Sequence, residues 1–269
     1  MRRFATTAGI VIGAALLVAA LLAGGGPRRR PLGLVGSTSI QPFAEMLAQE
    51  YGTKHPDRPV EVQGGGSTAG LQAVANDLAE IGMCSRGLTA EEAKQFTPIV
   101  IARDGLAVIV HPSNPVKALT RRQIRNIFAG RIRNWKEVGG RDLRIWPITR
   151  EEGSGTRESF AHLVMEGDAI SRRALNQESN GSVRELVRSD PAAIGYLSLG
   201  LVNADVKALE IDGVAPTAAG VVAGRYTLAR PFLFVVRGAP TPDAQAFIDF
   251  VLSEDGQRLL ETEGLVRVK

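Results

Sequence analysis

Three stretches of this 269-residue chain carry an apolar run into glycine and small hydroxyl residues, and then into residues at helical spacing. They are Gly36-Ser37-Thr38-Ser39, Gly64-Gly65-Gly66-Ser67-Thr68 and Gly153-Ser154-Gly155-Thr156. A run of this kind reads as strand, turn and helix start. The N-terminus of a helix leaves backbone N–H groups without partners and is electropositive. Glycine lets backbone approach a ligand, and serine or threonine adds a hydroxyl. One such turn is an ordinary helix cap. Three of them, with Arg150 directly before the third, point to a pocket for a small tetrahedral oxyanion such as phosphate.

The rest of the chain keeps the same alternation. Leu32–Val35, Val60–Gln63 and Ile81–Cys84 read as strands, while Ile40, Phe43, Met46 and Leu47 recur at helical spacing, as do Leu71, Val74, Ala75 and Leu78. Ile124, Ile127 and Phe128 fall on one face of a helix over Thr120–Phe128, and Leu143–Thr149 is a strand that delivers Arg150. A final helix is expected over Asp243–Leu260. Strands alternating with helices give an α/β sheet with crossovers. Two long extended runs, near 105–111 and 226–236, are candidates for crossings between lobes. Ligands bind in the cleft of such architectures.

Charge argues against a nucleic-acid partner. The net charge is +4, but residues 1–30 hold five arginines and no acid, which leaves 27 basic and 28 acidic side chains for the rest. The folded part therefore has no basic surplus. Phe4–Ala23 is free of charge and follows Arg2 and Arg3. That is the form of a secretory signal peptide, although roughly 20 apolar residues can also span a bilayer. Residues 1–30 are read as a signal peptide or N-terminal membrane anchor, and the protein as exported, periplasmic or extracytoplasmic. No cysteine directly follows the apolar run, which excludes a lipid anchor on cysteine. Cys84, the single cysteine, reads as a small buried residue.

Arg150 is the strongest binding candidate, because a guanidinium grips two oxyanion oxygens in a fork. Its competing role is an ion pair with Glu151 or Glu152. Thr38, Ser39, Ser67, Ser154 and Thr156 are each either caps or ligand donors, with Gly155 keeping the turn open. Ser85 and Arg86 follow a strand; Arg86 is either a second positive charge for the anion or an ion pair between lobes. Catalysis finds little support. His55, His111 and His162 have no metal-ligand spacing, no nucleophile elbow surrounds Ser67 or Ser154, and no Walker lysine follows a glycine loop. Trp135 and Trp146 read as packing residues.

With these motifs in place, the chain resembles the substrate-binding proteins of bacterial phosphate ABC transporters. The likeness runs from Leu34 to the C-terminus. It rests on the three turns, Ile81–Leu88, Ile127-Phe128-Ala129-Gly130 with Asn134-Trp135, Ile194-Gly195-Tyr196 and Arg230-Pro231. The resemblance implies an α/β, two-lobed type II periplasmic-binding-protein fold with two hinge strands. It implies lobe I from 31–108 plus 229–269, and lobe II from 109–228. The expected phosphate ligands are Thr38, Ser39, Ser67, Ser85, Arg86, Arg150, Ser154, Gly155 and Thr156. Well-studied members place an aspartate where this chain has Ser85, and Ser85-Arg86 resembles a variant found in part of the family. The implied partners are inorganic phosphate and a membrane permease. A monomer without cofactor, metal or catalytic residue is expected. Another oxyanion such as sulfate or molybdate, or a membrane-tethered phosphate sensor, are the alternatives.

Overall fold

The computed structural model describes residues 30–268. The apolar segment read as a signal peptide or anchor lies outside the described residues. Three parallel strands open the chain, β1 (Leu32–Gly36), β2 (Val60–Gly64) and β3 (Ile81–Cys84), arranged β2-β1-β3. Helix α1 (Gln41–Lys54) follows β1, and α2 (Ser67–Ala75) follows β2. A short α3 (Glu92–Gln95) leads into β4 (Thr97–Val110), the longest strand. The first half of β4 pairs antiparallel with β11 (Ala229–Val236), which also lies antiparallel against β3. The second half of β4, from Leu106, pairs instead with β8 (Ala193–Ser198). Strand β4 therefore belongs to two lobes.

The second lobe continues outward from β8 through β6 (Trp146–Arg150) to β7 (Leu175–Gln177), both pairings parallel. β9 (Lys207–Ala208) adds to β4, and β5 (Ala118–Leu119) pairs with β10 (Glu210–Ile211) in a small separate sheet. Its helices are α4 (Arg121–Phe128), α5 (Gly155–Phe160), α6 (Asn180–Ser189) and α7 (Ala218–Val222). Two C-terminal helices, α8 (Pro242–Leu252) and α9 (Glu254–Thr262), return to the first lobe.

Each lobe has its own core. Leu34, Ile81 and Met83 of the first sheet pack with Phe43, Leu47 and Tyr51 of α1, and with Phe247 and Val251 of α8. In the second lobe Leu106, Val108 and Val110 pack with Ile124, Ile127, Phe128 and Tyr196. Ala107 and Ile109, from the opposite face of β4, pack with Ile148, Val183 and Val187. This period-two division is what a strand covered on both faces requires.

The expected helix over Thr120–Phe128 forms with Thr120 as its cap. The Thr120 hydroxyl accepts the Gln123 N–H, and the Gln123 side chain accepts the Thr120 N–H in return. Cys84 is buried in the core, where burial pushes its thiol pKa up. Trp135 is buried and donates its indole N–H to Ala192 O at 2.9 Å.

Two local expectations fail. Helix α2 stops at Ala75, because Asp77 takes a left-handed φ of 55°, and Leu78 is left 72% exposed. The last helix is two helices. Ser253 ends α8 by donating to Phe250 O and starts α9 by accepting the Gly256 N–H. A serine hydroxyl competing for backbone groups favours such a break.

Candidate functional site

The carboxyl ends of β1, β2 and β3 lie side by side and release their chains in one direction. Residues 37–39, 65–67 and Ser85 therefore share one edge of the first sheet. Because β11 runs antiparallel to β3, its beginning, with Arg230, lies at the same edge. The end of β6 brings Arg150 and the third turn from the second lobe. Such an edge is where ligands sit in open α/β sheets.

Arg150 is 1% exposed and reaches across the cleft. Its Nε and Nη2 donate to the Glu151 carboxylate at 2.9 and 2.8 Å, and Nη2 also donates to Thr38 Oγ1 at 3.0 Å. The carbonyls of Gln177 and Glu178 take further bonds. Nη1 is buried and has no hydrogen-bond partner among the described residues. The ion pair with Glu151 and a place in the cleft thus coexist. Tyr196 supports this arginine from below: its hydroxyl is 2.6 Å from Thr149 Oγ1 and accepts the Arg150 N–H at 3.4 Å. The Tyr196 ring stacks on Phe160 at 3.9 Å.

Beside Thr38 the hydroxyls of the two lobes meet. Ser39 Oγ and Thr156 Oγ1, from opposite lobes, are 2.7 Å apart. Ser37 Oγ donates to Ser85 Oγ at 2.8 Å, and Ser67 Oγ accepts the Ser85 N–H at 3.1 Å. Ser67, Ser85, Ser154 and Thr156 are all buried. Ser154 acts as a helix cap, accepting the Arg157 N–H at 3.3 Å, and is buried. A backbone bond joins the lobes directly, Thr68 N–H to Gly153 O at 3.1 Å. Gly153 holds a φ of +82° and Gly66 a φ of +92° to make that approach. The lobes are therefore closed on one another.

Gly155 is required by this closure. A Cβ there would run into the Ser67 hydroxyl and stand 2.8 Å from Ser85 Oγ. Overpacking of this kind costs about 1–3 kcal/mol. Gly155→Ala is expected to weaken ligand binding about ten- to hundred-fold, read by calorimetric titration, with the melting temperature nearly unchanged.

Three further residues of the cluster, Arg230, Asp104 and Asn180, are not among the expected ligands. Arg230 is 4% exposed and lies directly opposite Asp104 in the β4–β11 register. Its Nε and Nη2 are both 3.0 Å from Asp104 Oδ2. Its outer nitrogens donate to Thr156 Oγ1 at 2.9 Å and Ser39 Oγ at 3.1 Å. Asn180, at the start of α6, donates to Ser39 Oγ at 2.9 Å and Thr38 Oγ1 at 3.3 Å. The signal available in the sequence was a charge within each of two apolar strands, Arg230 in β11 and Asp104 beside Arg103 in β4, since buried charges are found paired.

Arg86 is not brought to this cluster. It makes a bidentate pair with Glu92 at 2.7 and 2.8 Å and an ion pair with Glu158 of the second lobe at 2.7 Å. That hydrogen-bonded guanidinium holds the Glu92 carboxyl below the usual carboxylate range. Arg86 and Arg230 line a separate cavity of about 400 Å³ between the lobes. Glu158 is 40% exposed, and exposed pairs contribute about 0–1 kcal/mol. Glu158→Gln should therefore weaken ligand binding only about two- to five-fold, through faster dissociation measured by stopped flow. Among the described residues no group of three or more His, Cys, Asp or Glu could hold a metal ion, and no helix is long and apolar enough to cross a membrane.

A profile of the PBP superfamily domain matches residues 23–255. The phosphate-binding protein PstS of Bacillus subtilis is 34% identical over 238 residues, covering 86% of this chain and 78% of the relative. The chain belongs to the PstS family. Two solved structures related to this PstS family member agree with its two-lobed periplasmic-binding-protein fold. A Clostridium perfringens protein, assigned as a phosphate ABC transporter substrate-binding protein and solved with bound phosphate, superposes with a TM-score of 0.86. It is 40% identical, over 89% of this chain and all of that one. An ABC-type phosphate transport receptor from Vibrio cholerae gives a TM-score of 0.73 at 38% identity, over 87% and 99% of the two chains.

Proposed function

We propose that this protein captures inorganic phosphate outside the cytoplasm, in the cleft between its lobes, and delivers it to the membrane permease of a phosphate ABC transporter. The observation that carries this reading is the buried Arg150 guanidinium, whose Nη1 has no partner among the described residues and whose Nη2 meets Thr38 of the facing lobe, linked through Asn180 to Ser39 and Thr156. A buried polar nitrogen of this kind costs free energy unless a ligand meets it. The phosphate-bound relative supports the choice of anion. Thr38, Ser39, Ser67, Ser85, Arg150, Ser154, Gly155 and Thr156 form the proposed shell, with Arg230 and Asn180 added, and Arg86 acts between the lobes rather than on the anion.

Binding a desolvated anion is costly without many donors. Micromolar affinity needs about 8 kcal/mol, and charge-assisted bonds contribute about 1.5–3 kcal/mol each. A handful of them suffices after the cost of closure. A division near the proposed 31–108 plus 229–269 and 109–228 is supported by the change of partner along β4, which falls between Gly105 and Leu106 and puts Leu106–Val108 with the second lobe. Among the described residues, the hydrogen-bond partners of the shell hydroxyls are other hydroxyls, amides and guanidinium groups rather than a carboxylate or imidazole, which supports capture over turnover. Export rests on the uncharged run at residues 4–23. N-terminal sequencing of the exported protein distinguishes a cleaved signal, starting near residue 24–31, from a retained anchor.

The test is calorimetric titration with phosphate after unfolding, dialysis and refolding to remove any anion carried through purification. Micromolar or tighter binding is expected. A correctly refolded protein that takes up no phosphate would refute the reading.

A further inference from the structure

The hydrogen bonds within the cluster fix which way its hydroxyl protons point. A hydroxyl has two acceptor positions and one proton. Thr38 Oγ1 accepts from Arg150 Nη2 at 3.0 Å and Asn180 Nδ2 at 3.3 Å, so its acceptor positions are taken. The orientation of the Asn180 amide is set independently, because its Oδ1 accepts the Ser198 N–H at 3.2 Å. Ser39 Oγ accepts from Asn180 and Arg230, so its proton must go to Thr156 Oγ1. Thr156 Oγ1 also accepts from Arg230 Nη1 and is filled in turn. Ser85 Oγ accepts from Ser37 Oγ at 2.8 Å and Arg230 Nη1 at 3.5 Å, so in its 3.4 Å contact with Ser67 Oγ it is the donor. Thr38, Thr156 and Ser85 can therefore only donate.

The carboxylates of the site are committed as well. Asp104 Oδ1 accepts from Ser198 Oγ at 2.8 Å and Oδ2 from Arg230, while both Glu151 oxygens accept from Arg150. We infer that the cleft presents an almost purely donating surface and takes a tetrahedral oxyanion in its deprotonated form. Single acceptor positions remain only on hydroxyls such as Ser154, whose one partner is the Arg157 N–H. Ser37, which accepts only the Ser39 N–H, offers another such position. Each proton on the anion takes one of these positions in place of a donated bond, so hydrogen phosphate dianion is met better than the monoanion. Sulfate, which carries no proton, meets no carboxylate free to repel it. This inference deepens the phosphate reading and rests on the same site.

Other charges facing the cleft are Asp104 and Arg230 of the hinge strands, Glu151 beside Arg150, and Arg86, Glu92, Glu158 and His162 around the neighbouring cavity. Their titration affects every anion alike. Sulfate, doubly charged throughout, is therefore the control. The experiment is parallel titration of the refolded protein with sodium phosphate and sodium sulfate at about pH 6 and about pH 8, bracketing the second ionisation of a phosphate.

Relative to sulfate, phosphate should bind about ten-fold more tightly at the higher pH, with sulfate within about a hundred-fold of phosphate there. A phosphate-to-sulfate ratio that does not rise with pH, or sulfate more than a hundred-fold weaker at the higher pH, would overturn the inference. Failure of both anions to bind overturns this inference and the phosphate reading together. Sulfate binding without phosphate binding overturns the phosphate reading while supporting the donating surface. As an independent check, Ser85→Asp places a carboxylate acceptor in the cluster and should weaken sulfate at least ten-fold more than phosphate; equal effects on both anions would count against the inference.

Discussion

Replacing Arg150 by alanine should remove phosphate binding altogether at millimolar ligand. Arg150 is the one cluster residue that combines full burial, a charge and a nitrogen with no protein partner. The variant loses the charge that offsets a desolvated anion and leaves Glu151 in the cleft without its guanidinium. Truncating one side of a buried charge interaction costs about 2–5 kcal/mol. The repulsion from Glu151 adds to that, so a fall of at least about a thousand-fold is expected. Calorimetric titration checks it. Lysine at this position should recover little, because a single ammonium cannot reproduce contacts to Glu151, Thr38 and a ligand at once. Retention of near-native affinity in Arg150→Ala would place the anion elsewhere.

The largest expected effect on stability belongs to Arg230. Its pair with Asp104 is almost wholly buried, with side chains 2% and 0% exposed, at the point where β4 and β11 pass between the lobes. Arg230→Met leaves a buried carboxylate without a counter-charge, a change that costs about 3–5 kcal/mol. Urea denaturation should show this as a lower midpoint. The double variant Asp104→Leu with Arg230→Met should recover much of the loss, because replacing both charges removes the unpaired one.

The pH dependence follows from burial, which already pushes the Asp104 carboxyl up. Without Arg230 that push is opposed only by the hydrogen bonds from Ser198 and Gly200. A carboxyl raised in the folded state contributes nothing adverse below its unfolded pKa, and its penalty grows as pH rises toward the folded value. The deficit of Arg230→Met should therefore shrink in acid and widen toward neutrality. A deficit that is constant across that range would mean Asp104 is not the group left uncompensated.

The parts of this site that could be read from the chain are those governed by local rules. A glycine-and-hydroxyl turn between an apolar run and a helical period is visible residue by residue, and so all three turns and Arg150 could be named. The Thr120–Phe128 helix shows its cap and its apolar face in the same way. Arg230 and Asp104 were out of reach for a different reason. They are 126 positions apart, and only the order β3-β11-β4 and its register make them neighbours. Asn180 depends likewise on where α6 begins relative to β8. Arg86 illustrates the converse. Its position after β3 suited a ligand, but Glu92 lies on the following helix and Glu158 on the facing one, and two carboxylates hold it away. Leu78 fitted the helical period of α2, yet the left-handed residue at Asp77 ended that helix first.

The convergence of the three turns on Arg150 is tested most directly by a crystal structure of the protein with phosphate or its heavier analogue arsenate. The anion should lie between the lobes, within hydrogen-bonding distance of Arg150 Nη1 and of the Thr38, Ser85 and Thr156 hydroxyls. An anion found instead in the cavity beside Arg86 and His162, with Arg150 making no contact to it, would contradict the account.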